Sequence, residues 1–297
     1  MSLRNTPLYA ESWNVAFRKK PQGTILEDRT SVFTVVPNHF QFWAADPFVF
    51  EHEGKIYIFA ELYDYVLRRG VIGVAEYRGD NRFSQWRVVL KESFHMSYPF
   101  VFRMGGEIYM IPETHRRKAV LLYRATKFPD QWELDKILRE DVAWVDTTII
   151  PDGDGFLGFA QSITNGETSD ITIRLNSNLQ LVQEEPCKHQ DPMRQRPGGR
   201  MFRRNGEIIR ITQDCVDDYG KALFFCFEET GERIRIAPDE LCFSKSISID
   251  GMHTYSATGT MEVIDIKTRR LNLLNLIFRI VNKIQWHKVL RDKTDPI

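Results

Sequence analysis

ADPFVFEHEGKIYIFAE (residues 45–61) returns almost intact as SYPFVFRMGGEIYMIPE (97–113): the proline, the FVF triplet, the glycine and the I-Y-hydrophobic run coincide. Looser copies follow as VDTTIIPDGDGFLGFAQ (145–161), PGGRMFRRNGEIIRITQ (197–213) and IDGMHTYSATGTMEVID (249–265). Equivalent positions are Asp46, Tyr98, Asp146, Gly198 and Asp250, separated by 52, 48, 52 and 52 residues. Each copy reads as two short strands joined by a glycine-containing turn. Strand-like runs such as VIGVAEY (71–77), AVLLYRA (119–125) and KALFFCFEE (221–229) lie between copies. About four strands per unit at a period near fifty specify an all-β, five-bladed β-propeller. WNVAFRK (13–19) or SVFTVV (31–36) is expected to supply the outer strand that closes the ring onto the last blade.

The propeller is assigned to residues 1–268, with blades beginning near 45, 97, 145, 197 and 249, and a tail to 269–297. Apolar residues at 271, 273, 274, 276, 277, 280, 281 and 284 fall at helical spacing, with Arg279, Lys283 and Lys288 opposite. This pattern predicts a C-terminal amphipathic helix, either packed on the propeller or lying on a membrane surface or partner. The 297-residue chain carries 40 basic and 40 acidic residues, so no global field attracts nucleic acid. The runs at 116–118, 194–196 and 203–204 read as solvated loops. The N-terminus lacks an apolar export signal and no stretch is long and apolar enough for a membrane span, which leads to a cytoplasmic expectation, extended to a peripheral membrane position if the tail helix docks there. Cys187, Cys215, Cys226 and Cys242 show no CxxC or framework spacing and read as reduced, mostly buried thiols.

In a propeller blade the start of the first strand and the end of the second emerge on one face. Five blades therefore bring Asp46, Glu61, Tyr98, Glu113, Asp146, Gln161, Arg196, Gln213, Asp214, Asp250, His253 and Tyr255 to one rim, with His95 beside them. A ring needed only for packing would not hold so many charges, since burying them unpaired is costly. Carboxylates, imidazole, guanidinium and phenols together suit a polyhydroxylated ligand. Asp46, Glu113 and Asp146 are the catalytic candidates: Asp46 as base or nucleophile, Glu113 as an acid of raised pKa, Asp146 to orient the sugar or tune the acid. Substrate binding falls to Glu61, His95, Tyr98, Arg196, Gln213, Asp214, His253 and Tyr255, with Arg196 clamping an anionic group. The isolated histidines lack the short spacing of zinc ligands, so no metal site and no cofactor is assigned, although the channel carboxylates leave room for one ion.

HMSYPFVF (95–102), GEIYMIPET (106–114), RPGG (196–199), TQD (212–214), DYGKA (218–222) and GMHTY (251–255) resemble the N-terminal propeller domain of glucosamine inositolphosphorylceramide transferases and of related bacterial surface-glycan proteins. The resemblance runs from about residue 40 to residue 265. It implies a role in surface polysaccharide metabolism beside a glycosyltransferase partner, but not the activity of the transferase domain that follows this propeller in the plant enzymes. More distantly, the repeat is similar to the five-bladed arabinanase, xylosidase and levansucrase superfamily. Its DP aspartate, general base or nucleophile, would correspond to Asp46, and its second aspartate to Asp146. Blade four departs from that superfamily, offering Arg196 and Gly198 where the acid glutamate is expected. Two readings stay open: a sugar or phosphorylated sugar processed by glycosidase-like or glycosyl-transfer chemistry, or a glycan-recognition module serving a separate transferase. A protein–protein scaffold would instead show a broad apolar or charged face.

Overall fold

The computed structural model describes residues 9–20 and 23–271. Strands β1 (Tyr9–Lys19) and β2 (Thr34–Val35) precede the first full blade, which holds β3 (Phe42–His52), β4 (Lys55–Asp64), β5 (Arg69–Gly79), β6 (Arg82–Phe83) and β7 (Arg87–Leu90). Blade two is β8 (Ser97–Met104), β9 (Glu107–Glu113), β10 (Ala119–Lys127) and β11 (Gln131–Glu140). Blade three is β12 (Trp144–Asp152), β13 (Gly155–Thr164), β14 (Glu167–Leu175) and β15 (Leu181–Pro186). Blade four is β16 (Phe202–Arg204), β17 (Glu207–Asp214), β18 (Ala222–Phe227) and β19 (Arg233–Ile236). In blade five, β20 (Tyr255–Ala257) and β21 (Met261–Leu271) are completed by β1 and then β2, in the order β2-β1-β21-β20. Both N-terminal segments singled out for ring closure thus take part, one as third strand and one as fourth. The chain is a five-bladed β-propeller.

Successive side chains of a strand point to opposite faces, and in a propeller both faces of each blade meet a neighbour. The repeats are accordingly apolar on both parities. Val101, Ile108 and Met110 pack toward blade one, whereas Phe100, Phe102 and Ile111 pack toward blade three. Closure is secured by antiparallel pairing of β1 with β21, from Tyr9↔Leu271 to Lys19↔Met261. Beneath it Arg18 Nε donates to Glu262 Oε2 at 2.7 Å, both side chains buried.

One local device recurs. Register breaks fall between Ala45 and Phe48, between Ser97 and Phe100, and between Val145 and Thr148. Inside each break Asp46, Tyr98 and Asp146 hold φ of 52°, 45° and 55°. These are β-bulges with a left-handed residue, which turn the strand toward the axis. Blade four uses Gly199 at φ 136°, where a Cβ would overlap the Tyr255 carbonyl oxygen, so only glycine fits. The Tyr98 phenol crosses the axis: it takes the Gly199 N–H at 2.7 Å and meets Thr148 Oγ1 at 2.7 Å. Tyr98→Phe would leave that buried amide unpaired, and a loss of about 1–3 kcal/mol in denaturant titration is expected.

The tail helix assigned from residue 269 lies almost wholly outside the described residues; β21 itself runs to Leu271. Among the described residues no helix is long and apolar enough to cross a membrane. The four cysteines are free thiols as expected, but only Cys226 is buried and Cys242 is exposed, a correction to the expectation of burial.

Candidate functional site

Asp46, Glu61, Glu113, Asp146, Arg196, Gln213 and His253 converge at the strand-start end of the axis. Their contacts run from blade to blade. Asp46 Oδ2 accepts the bulge amide of Tyr98 at 3.1 Å, and Oδ1 accepts the Thr254 hydroxyl at 2.9 Å. Asp146 Oδ2 accepts Arg196 Nε at 2.6 Å and Gln213 Nε2 at 3.1 Å, linking blades three and four. Glu113 accepts Ser97 Oγ at 3.1 Å, the His115 amide at 2.9 Å and the His115 ring at 2.5 Å. Since Ser97 and Tyr98 are chain neighbours, the Asp46 and Glu113 carboxylates stand within about 10 Å of each other. Paired-carboxylate glycoside chemistry works at roughly 5–5.5 Å or 6.5–9.5 Å.

These carboxyls differ in charge. Burial, opposed by His253 and aided by Asp146 and Asp265, pushes the Asp46 pKa up to about 7. Burial and four surrounding carboxylates hold Glu61 well above its ordinary value. Its Oε1 is buried with no hydrogen-bond partner among the described residues, 3.6 Å from His95 Nε2. Glu113 behaves oppositely. Burial would raise its pKa, but the His115 bonds and the Arg196 charge bring it below the usual carboxylate range. The expectation that Glu113 is the acid of raised pKa is therefore corrected: that state belongs to Glu61. Asp146 is raised by burial against the pull of Arg196.

His253 is lowered by burial but carried above its ordinary value by Asp265, 2.6 Å from Nδ1, and by Asp46. Its ring stacks on Trp13 at 3.9 Å and 13°. Asp46 and His253 both bind protons more readily in the folded chain than in the unfolded one. Their stability is present at low pH and lost as pH rises, for Asp46 between 3.8 and about 7 and for His253 above 6.5. Thermal unfolding should therefore show stability falling through neutrality, by up to about 1.4 kcal/mol per pH unit per proton, and less steeply in Asp46→Asn.

Four expected members are elsewhere. Tyr255 is buried in the blade-five core, its hydroxyl donating to Glu262. Asp214 follows Gln213 on β17, so it faces the other way, paired with Arg235 Nε at 2.8 Å. Tyr98 contributes its amide while its phenol braces the axis, and His95 sits on the rim, 3.6 Å from Glu61. Asp250 lies outside the ring, 3.1 Å from Arg269. Gln161 turns away to Asp170 Oδ1 at 3.0 Å. Arg196, counted among solvated loop residues as well as ring members, belongs to the ring.

Asp265 was missed. It accepts the amides of Asp46, His253 and Thr254 at 2.9, 2.9 and 3.0 Å, as well as the His253 ring. As last residue of the fifth copy it aligns with Glu61, Glu113, Gln161 and Gln213, a signal the repeats contained. Asp46, His253 and Asp265 place ligand atoms within 4.8 Å of one another, one nitrogen and two oxygens of the kind a cation accepts. Backbone amides, Thr254 and the imidazole already engage these carboxylates, so the cluster is also satisfied without an ion. Tyr219, 40% exposed, stands with its ring 5.3 Å from the Arg196 guanidinium and offers an aromatic face at the mouth of the pit.

The fold is shared with solved glycoside hydrolases. An α-L-arabinofuranosidase from Podospora anserina superposes with TM-score 0.56 at 10% identity, covering 76% of this chain and 90% of its own. A family 117 glycoside hydrolase from Zobellia galactanivorans gives TM-score 0.52 at 12% identity over 91% and 93%. In sequence, glucosamine inositolphosphorylceramide transferase 1 of Oryza sativa subsp. indica is 36% identical over 197 residues, 62% of this chain and 26% of that protein. The Arabidopsis thaliana protein of that name is 29% identical over 237 residues, 74% of this chain and 30% of its own. The chain thus spans about a quarter to a third of the length of these relatives. The profile of the N-terminal domain of glucosamine inositolphosphorylceramide transferase 1 matches residues 30–230, and the chain belongs to that family.

Proposed function

We propose that the axial pit binds a glycan and processes it by acid–base chemistry, with Glu61 as proton donor and Asp46 as the opposing carboxylate. The observation that carries this reading is Glu61, raised by burial and with Oε1 lacking a hydrogen-bond partner, in one ring with Glu113, which His115 holds below the usual carboxylate range. Groups whose surroundings drive their pKa values apart are what paired acid–base catalysis requires. Asp146, fixed by Arg196 and Gln213, orients the bound ring, and the exposed face of Tyr219 covers sugar C–H surface. No resident metal or cofactor enters this scheme.

A second reading keeps the pit for recognition alone and leaves transfer to a separate glycosyltransferase. It is favoured by the saturation of Asp46, both of whose oxygens already accept bonds from neighbouring blades, and by the two bonds that occupy Asp146 Oδ2. A glycan and sugar-nucleotide screen, following binding and released product together, separates the two. Turnover lost in Asp46→Asn with binding retained supports processing. Binding without turnover in the wild-type chain supports recognition. Asparagine suits this test because it tolerates the left-handed backbone of position 46.

A further inference from the structure

Beside the pit, between the tips of blades one and two, lies a cavity of about 530 Å³ lined by Tyr63, Arg68, Phe94, His95, His115 and Arg116. Three segments build it: the turn after β4, the loop before β8 and the 3-10 turn His115–Arg117 after β9. Both hairpin tips turn on a left-handed residue, Arg68 at φ 55° and Lys118 at φ 56°. The wall is braced, since Tyr63 stacks on Trp43 at 4.9 Å and 6°.

Its charge is one-sided. Arg18, Arg196, Arg210 and Arg235 each meet a carboxylate, whereas among the described residues neither Arg68 nor Arg116 does. Of the buried ring acids behind the cavity, Glu113 spends its hydrogen bonds on His115 and Ser97 and not on these guanidinium groups. Two guanidinium groups, two imidazoles and two aromatic rings remain. Forked guanidinium groups match the oxygens of a phosphate, and rings cover a sugar face. At the inner edge His95 separates the cavity from the ring, its Nε2 3.6 Å from the buried Glu61 Oε1.

The geometry points to this cavity as the binding site of a phosphorylated polyol, with the phosphate on Arg68 and Arg116 and the hydroxyls toward His95. The anion site is thus displaced from Arg196, which Asp146 occupies. The sugar half of this inference rests on the carbohydrate reading above; the phosphate half stands on the cavity alone.

Calorimetric titration of the full chain with glucose 6-phosphate, inorganic phosphate, and phosphatidylcholine vesicles carrying phosphatidylinositol tests it, with glucose as the neutral control. Saturable binding of a phosphate probe is expected, weakened about tenfold or more in Arg68→Ala/Arg116→Ala and unchanged in Arg203→Ala/Arg204→Ala, which removes two arginines of another surface. Uptake of soluble probe alone assigns the site to a free sugar phosphate, and uptake of vesicles alone to a lipid headgroup; either supports the inference. No saturable binding of any phosphate probe overturns it. So does affinity within about twofold of wild type in the Arg68/Arg116 variant, or an equal loss in the Arg203/Arg204 variant. None of these probes carries a glycosidic bond, so failure here is distinct from failure of turnover at the pit.

Discussion

Asp265→Ala is expected to cost about 3–5 kcal/mol of folding free energy, which equilibrium unfolding in urea would read directly. Asp265 is fully buried, yet it takes three backbone amides and the imidazole of His253. Alanine would strand these donors in a dry interior, and each buried donor left unpaired costs about 1–3 kcal/mol. The damage should also be structural. The Asp46 amide loses its acceptor and His253 loses its nearest anion, so the pit and the blade-one bulge would loosen together. A loss under about 1 kcal/mol would mean that the amides find other partners and that Asp265 is no hub.

The second large effect falls on chemistry. If Glu61 is the proton donor, Glu61→Gln should lower turnover by about 10²–10⁴ with little change in glycan affinity or unfolding midpoint. Glutamine matches the neutral form that burial favours, so the fold should hardly register the change. In the wild type the rate should rise as Asp46 ionises through about 7 and fall where Glu61 loses its proton. The alkaline limb should vanish in the variant. A Glu61→Gln protein with wild-type turnover, on whatever glycan the screen identifies, would remove Glu61 from the mechanism and return attention to recognition.

Much of this architecture was legible in the repeats because geometry forces them. A left-handed bulge at one position of three blades keeps Asp46, Tyr98 and Asp146 in phase, and the glycines mark the hairpin turns. Where the geometry changes, the reading slips. The fifth hairpin is shorter, and Thr254 lies across from Asp265 as Ala45 lies across from Glu61, so Asp250 was aligned to the wrong place. Tyr255 went astray with it and belongs to the buried Glu262 cluster. Asp214 was misread for a simpler reason: neighbours on a strand cannot both face the axis. The upward shift of Glu61 against the downward shift of Glu113 depends on which groups crowd each carboxyl in three dimensions, and no spacing encodes that. Trp13, stacked on His253 from the opposite end of the sequence, could not be foreseen from the repeats at all.

That last contact has a consequence for biogenesis. The first strand waits, unpaired with its final partner, until β21 has been synthesised, because Trp13 lies opposite Lys267. His253 and Trp13 meet only in that terminal step, so a polypeptide released early lacks their stacked pair. A change in indole emission as Trp13 stacks on His253 would report the moment of completion, the same event that makes the protein durable.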